Sequence, residues 1–148
     1  DDPDPGAALV AYADEIGRRH RLDVRVDRAE SAAHRLSADT AAELVRIGRE
    51  AITNVARHAA ARTLWLSVVV DPPTVPIVVA DDGTGVGAGH QQDRPAGHGL
   101  AIMAERAAQI GATVHLEDRP GGGTVVTIST GEEDHDDGAR LRTARRRP

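Results

Sequence analysis

Three polar side chains in the segment "REAITNVARH" are spaced four residues apart. Glu50, Asn54 and His58 fall on one stripe of a helix, because successive helical residues turn by about 100°. A carboxylate can accept a proton, an amide oxygen is a hard ligand suited to Mg²⁺, and the neighbouring Arg57 can reach phosphate oxygens. The spacing fits a metal and phosphate site, and it also fits an ordinary solvated helix face.

A glycine-rich segment, "VVADDGTGVG" at 78–87, follows an apolar run that predicts a strand. Glycines at 83, 85 and 87 let the backbone approach a flat ligand, and the Asp81 carboxylate can accept a hydrogen bond from an amino group such as that of adenine. A dinucleotide-binding loop is disfavoured, because it needs the pattern G-x-G-x-x-G and a helix at once, and an aspartate there would repel a pyrophosphate. A plain Asp-Gly turn is the alternative.

Two further glycine clusters lie downstream. "GHGL", formed by Gly97, His98, Gly99 and Leu100, directly precedes a predicted helix, whose free N–H groups and dipole would favour a phosphate. "PGGGT", which ends at Thr124, is either a second ligand contact or only a hairpin turn. Each cluster is weak evidence by itself.

Composition excludes several kinds of chemistry. The 148 residues include no Cys and no Lys, so thiol catalysis, disulfides, Schiff bases and lysine-dependent phosphate loops are ruled out. A formal charge of −5 argues against general nucleic-acid binding. No apolar run approaches the roughly 20 residues of a membrane span, and a cytoplasmic location is favoured, with a parent protein that is either free or membrane-anchored. Because Phe is absent, Val, Leu, Ile and Ala must fill the core.

Periodicity and turn residues predict three helices and five strands. A stripe of apolar residues marks the buried face of the longest helix, and Gly111 is placed to end the last one in a left-handed conformation. The stripe consists of Leu44, Ile47, Ala51 and Val55. The elements are a helix at 7–20, a strand at 22–27, a long helix from Ser37 or Asp39 to about Ala61, strands at 63–70 and 75–82, a helix at 99–111, and strands at 112–118 and 124–130.

This order predicts an α/β two-layer sandwich. Short turns between strands imply a mixed, mostly antiparallel sheet with the helices packed on one face. Residues 1–6 are interpreted as a linker, 7–130 as the domain and 131–148 as a disordered charged tail. Residues 83–97 contain five glycines and no apolar periodicity, so a mobile loop is expected there.

Taken together and in order, the four motifs resemble those of one family. "REAITNVARHAAA", "VADDGTGVG", "GHGLAIMAERAAQIGA" and "PGGGTVVTI" look like the N box and the three glycine boxes of the ATP-binding catalytic domain of sensor histidine kinases. The resemblance covers about residues 7–130 and implies the adenine-binding sandwich called the Bergerat fold. It is strongest to the subfamily that phosphorylates response regulators with helix-turn-helix output domains.

The resemblance implies a role for each motif. Asp81 would bind the adenine amine with support from Thr124, while Gly83, Gly85 and Gly87 pass close to the nucleotide. Asn54 would ligate Mg²⁺, Arg57 and His58 would contact phosphate oxygens, and Glu50 would orient or deprotonate the nucleophile. Gly97 and Gly99 would be the hinge of a lid over the γ-phosphate of ATP, within the segment that includes His98 and Leu100.

Some features depart from the family pattern or lie outside the chain. Asp82 stands where the family often has Asn, and its added charge is expected to weaken nucleotide affinity slightly. None of the seven histidines has a phosphoacceptor setting. The implied partners are therefore the protein's own dimerisation and phosphoacceptor domain, in a homodimeric full-length protein, and a response regulator; contacts with nucleic acid or membrane are not expected of this domain.

Two other classes remain as rivals. A serine kinase of the anti-sigma-factor type shares these ATP-binding boxes but phosphorylates a protein serine. A non-catalytic interaction module would carry Asp81 and Glu50 as surface acids only, and nucleotide binding would exclude it. The gyrase, heat-shock and mismatch-repair relatives would require further domains downstream.

Overall fold

A computed structural model describes residues 4–30, 36–58, 60–70, 74–84 and 96–130 of the chain. These ranges form three helices and five strands, as the sequence predicts. They are α1 (Pro5–His20), β1 (Asp23–Glu30), α2 (Ala38–His58), β2 (Thr63–Val70), β3 (Ile77–Asp81), α3 (Ala96–Gln109), β4 (Thr113–Asp118) and β5 (Thr124–Ser129). Within these ranges no helix is both long and apolar enough to span a membrane.

The five strands form one mixed sheet in the order β1-β2-β3-β5-β4. Only β1 and β2 run parallel, joined by a crossover that contains α2, and every other neighbouring pair is antiparallel. Parallel neighbours need such a crossover, whereas antiparallel ones close through short turns. The predicted two-layer sandwich with a mostly antiparallel sheet is therefore confirmed.

The core lies between the helices and one face of the sheet. All four residues of the predicted α2 stripe are buried, and they pack with Leu9 and Ile16 of α1. Aliphatic side chains and Met103 fill the space, which confirms that the chain builds its core without Phe. Alternate residues of the central strands, such as Leu64, Leu66 and Val68 of β2, supply the sheet's half of the core.

Capping sets where the first two helices begin. Asp4 accepts a hydrogen bond from the Ala7 backbone N–H, so α1 begins at Pro5, inside the segment interpreted as linker. Ser37 Oγ accepts the Thr40 N–H at 3.1 Å, which confirms Ser37 rather than Asp39 as the N-cap of α2. The predicted end of α2 at about Ala61 is three residues late, because the helix stops at His58.

The glycine loop and the C-terminal tail lie largely outside the described residues. The predicted mobility of residues 83–97 concerns mostly 85–95, and the predicted disorder concerns 131–148, so both stay predictions. The predicted left-handed cap at Gly111 is confirmed by its φ of +71°. The glycines of the β4–β5 turn also have positive φ, which is typical of a tight hairpin.

Ala60, in the turn between α2 and β2, has a φ of +52°, a left-handed conformation that costs a non-glycine residue about 1–2 kcal/mol. Replacing Ala60 by glycine removes this strain but adds freedom to the unfolded chain, so we expect the free energy of unfolding to rise by about 0.5–1 kcal/mol. Chemical denaturation measures the change. Ala61→Gly is the matched control, because Ala61 has no positive φ. Equal effects of the two variants would contradict the strain.

Candidate functional site

The described parts of the glycine and polar motifs border one end of the sandwich. β2 begins five residues after the end of α2, and Leu64 of β2 pairs with Asp81 at the end of β3. Thr124, the first residue of β5, pairs with Asp81 from the other side. The C-terminal ends of α2 and β3 and the β4–β5 turn therefore border a common region.

Helix α3 directs its N-terminus toward the same end. Arg106, in its last turn, lies 3.6 Å from the Glu43 carboxylate in the N-terminal half of α2. Ile102 and Met103, one turn earlier, share a groove with Glu50. The two helices are therefore antiparallel, and the start of α3 is nearest to the end of α2.

Asp81 is a buried carboxylate at the last position of β3. Its side chain is only 4% exposed, and one of its oxygens accepts the Gly83 backbone N–H at 2.7 Å. Among the described residues it is the one acid that the core buries this deeply. A buried carboxylate needs hydrogen-bond donors for its lone pairs. Asp81 can therefore accept a donor group that a ligand carries into the site.

Asp82 makes contacts of a different kind. Its Oδ1 accepts two backbone N–H groups, that of Arg62 at 2.8 Å and that of Thr63 at 2.9 Å. The side chain is thereby tied to the beginning of β2. The Asp82 carboxylate is thus hydrogen-bonded to backbone groups of the chain itself, whereas the neighbouring Asp81 is buried at the end of the sheet.

The two adjacent carboxyls have pKa values shifted in opposite directions. Burial raises the pKa of Asp81, helped by the Asp82 charge and opposed by the N–H groups of Gly83 and Thr124. For Asp82, burial acts to raise the pKa, but hydrogen bonds from the N–H groups of Thr63 and Arg62 outweigh it and hold the pKa below its ordinary value. Two identical side chains next to each other in the sequence therefore lose their protons at different pH values, because their surroundings differ.

These shifts affect stability with opposite signs. The folded chain holds the Asp81 proton more tightly than the unfolded chain, so the stability from Asp81 is complete below the ordinary aspartate pKa and is lost as pH rises through the raised value. The stability from Asp82 is present above the ordinary pKa and is lost as pH falls through the lowered one. Near neutral pH, burial of the ionised Asp81 carboxylate therefore lowers the stability of the folded chain.

The β4–β5 turn packs directly on the backbone of the two aspartates. A Cβ atom at Gly123 would collide with the carbonyl oxygen of Asp81, and Gly123 has a φ of +111°. Arg119 fixes the turn: its N–H donates to the Gly123 carbonyl, and its guanidinium lies 4.3 Å from the ring centre of Trp65. The turn is thus more than a connection, because it forms one wall beside Asp81.

On α2, the three stripe residues have different surroundings. Glu50 is half-buried and lines a groove of about 410 Å³ between α1, α2 and α3, together with Arg46 and Ile102. Asn54 is half-buried one turn further along. Arg57 is exposed, and the side chain of His58 lies outside the described part of the chain, so its predicted phosphate contact stays a prediction.

The start of α3 differs from the prediction. The helix begins at Ala96, so Gly97, His98 and Gly99 lie within its first turn instead of before it. In the sequence Pro95 directly precedes this start, and proline is common at helix N-termini because its missing N–H is not needed there. The N–H groups of a first turn have no partner within the helix, and such groups can bind an anion. Leu100 packs against the core, whereas Gly85 and Gly87 lie outside the described residues.

One set of contacts at this end of the sheet could not be predicted from the sequence. The sequence predicts an added charge near the nucleotide at Asp82, and the structure adds that this carboxylate accepts backbone N–H groups 19 and 20 residues earlier in the chain. Nothing in the local sequence indicates these partners, since they are brought close only by the pairing of β2 with β3.

Comparison with known proteins agrees with this geometry. Residues 39–134 match the family described as histidine kinase-, DNA gyrase B- and HSP90-like ATPases. The nitrate/nitrite sensor protein NarQ of Escherichia coli K12 is 38% identical over 96 residues, which are 64% of this chain and 16% of that protein. The sensor histidine kinase LiaS of Bacillus subtilis 168 is 28% identical over 120 residues, 81% of this chain and 32% of LiaS. This chain thus corresponds to a minor part of each relative.

Solved structures show the same fold. The ATP-binding domain of PrrB from Mycobacterium tuberculosis is 28% identical and aligns with a TM-score of 0.66 over 86% of this chain and 93% of that one. Full-length ShkA in complex with AMPPNP is 25% identical, with a TM-score of 0.68 over 88% of this chain and 30% of ShkA. The family match covers more than half of the chain, and the relatives are sensor histidine kinases. The chain therefore belongs to the histidine kinase-, DNA gyrase B- and HSP90-like ATPase family, as an ATP-binding catalytic domain of the sensor histidine kinase type.

Proposed function

We propose that this domain binds Mg-ATP with Asp81 on the adenine amine and transfers the γ-phosphoryl group to a histidine on a dimerisation domain outside this chain. The observation that carries the proposal is the Asp81 carboxylate, which is buried at the end of β3 beside Gly83 and Thr124 and has a raised pKa. An adenine amine would supply a further hydrogen-bond donor to this carboxylate. Gly83, two residues after Asp81, has no side chain and leaves room for a flat base.

The residues present are compatible with Mg²⁺. Within the described ranges no cluster of three or more His, Cys, Asp or Glu side chains forms a metal cage. Mg²⁺ does not need one, because it is usually held by one or two protein oxygens together with substrate phosphates and water. The Asn54 amide oxygen on α2 would be the protein ligand, and a bound Mg²⁺ would neutralise charge on the β- and γ-phosphates.

Positioning and charge supply most of the catalysis in such a transfer. We assign phosphate contacts to Arg57, His58 and the N–H groups of the first turn of α3. Glu50 would orient the attacking imidazole and accept its proton. The new bond joins the imidazole nitrogen to the γ-phosphorus, and the bond between that phosphorus and its bridging oxygen breaks to release ADP.

Calorimetry with a non-hydrolysable ATP analogue and Mg²⁺ tests the first half of the proposal. We expect saturable binding to the chain. Absence of binding would instead favour a non-catalytic interaction module. Radiolabelled ATP tests the second half, with the chain alone and with the dimerisation domain added. Phosphohistidine on the added domain is expected, whereas phosphoserine on a bound protein would support the anti-sigma-factor type of kinase.

Asn54→Ala should weaken analogue binding by about tenfold in the presence of Mg²⁺, since its proposed role is to ligate the metal. With EDTA in place of Mg²⁺, we expect the dissociation constants of the variant and the wild type to agree within about twofold. Calorimetry under both conditions makes the comparison. Equal losses with and without Mg²⁺ would show damage to α2 and would remove the assignment of Asn54 to the metal.

A further inference from the structure

Asp82 carries a set of contacts that the proposed binding of ATP does not use. Both hydrogen bonds from its Oδ1 go to the beginning of β2, to the N–H groups of Arg62 and Thr63. The backbone pairing of β2 with β3 begins only at Leu64 and Asp81. The Asp82 side chain therefore extends the connection between β2 and β3 by two residues beyond their ladder.

Arg62 is the last residue of the short segment between α2 and β2, and Thr63 is the first residue of β2. Four residues separate His58, the last of the helix, from Thr63, the first of the strand. Within them Ala60 is held at positive φ, which is unfavourable for alanine. A strained turn persists only when surrounding contacts hold it in place. The two hydrogen bonds to Asp82 provide such contacts, along with the Asp23 N–H, which donates to the Arg62 carbonyl.

From this arrangement we infer that Asp82 is a positioning residue, which fixes the C-terminal end of α2 relative to the end of β3. The inference rests on the proposed function. The proposed metal and phosphate residues, Asn54 and Arg57, lie in the last turn and a half of α2, and the proposed adenine residue, Asp81, ends β3. Asp82 holds these two halves of the ATP site at a constant separation.

The chemistry of the carboxylate suits this role. The N–H groups of Thr63 and Arg62 outweigh burial and keep the pKa of Asp82 below its ordinary value, so the group is ionised at neutral pH and is a strong acceptor. Its charge raises the pKa of Asp81, which would be a disadvantage for adenine binding without a compensating function. An asparagine at 82 keeps an oxygen acceptor and removes that charge.

Affinities for adenosine and for a Mg-bound ATP analogue separate positioning from general stability. Adenosine engages only the adenine half of the site, whereas the analogue engages both. In Asp82→Ala we expect binding of the analogue to weaken about tenfold while adenosine binding, followed by NMR, changes less than about twofold. Asp82→Asn should bind the analogue within about threefold of the wild type, because the amide oxygen still accepts.

The Ala60→Gly background keeps the test valid if Asp82→Ala folds poorly. Glycine relaxes the strained turn, so the double variant should be folded and should recover part of the lost affinity for the analogue. Equal loss of affinity for adenosine and the analogue, or an equal defect in Asp82→Asn and Asp82→Ala, would overturn the positioning role. A wild-type chain that does not bind the analogue at all would instead overturn the proposed function.

Discussion

Binding of a Mg-bound ATP analogue is expected to weaken by about ten- to a hundredfold when Asp81 is replaced by asparagine. The asparagine amide oxygen is a neutral acceptor and therefore binds the adenine amine more weakly than a carboxylate does. The amide can also turn its own NH₂ group toward the amine, and two donors cannot form a hydrogen bond. Burial strengthens the effect, because Asp81 is 4% exposed and water cannot replace the lost partner. Calorimetry of the wild type and the variant measures the difference.

Glu117→Gln is the matched control, because it removes a charge from an exposed position of β4 without touching the site. The pH dependence gives a second readout. Since the pKa of Asp81 is raised, lowering the pH toward that value protonates the carboxyl, and wild-type affinity should fall. The asparagine variant corrects for titration of the nucleotide itself. An unchanged dissociation constant in Asp81→Asn would exclude the adenine assignment.

Local patterns predicted the elements of the fold well. The α2 stripe from Leu44 to Val55 follows the helical period, so its buried face was readable from the sequence. The strand at 63–70 was predicted at its observed bounds because a proline-rich turn follows it. The end of α2 and the start of α3 were predicted less well, because the stop at His58 and the early start at Ala96 depend on backbone geometry that composition only suggests.

The chemistry of the site was only partly readable. Asp81 was identified because the glycines after it mark a close backbone approach, a local signal. The opposite pKa shifts of Asp81 and Asp82 were not readable, because they depend on burial and on N–H groups from β2 and β5. The packing of Gly123 on Asp81 likewise requires the pairing of β3 with β5. Long-range pairing, rather than residue type, decides which of two adjacent acids is free to meet a ligand.

The division between ATP binding and phosphoryl transfer should appear most clearly at Glu50. Replacing Glu50 by glutamine is expected to reduce transfer to an added dimerisation domain by about 10²–10⁴-fold, the range for loss of a general base. Analogue affinity should stay within about threefold of the wild type, because Glu50 is assigned to the nucleophile and not to the nucleotide. Radiolabelled ATP and calorimetry measure the two quantities on the same protein.

Glu105→Gln is the matched control, since Glu105 is an exposed acid on α3. The isolated chain should bind ATP yet acquire little label of its own. Transfer needs an imidazole in near-attack geometry, and in the proposed site His58 is assigned to a phosphate contact rather than to the attack. Acid-labile label on the isolated chain would place the acceptor inside it. A loss of affinity in Glu50→Gln equal to its loss of transfer would move Glu50 from the nucleophile to the nucleotide.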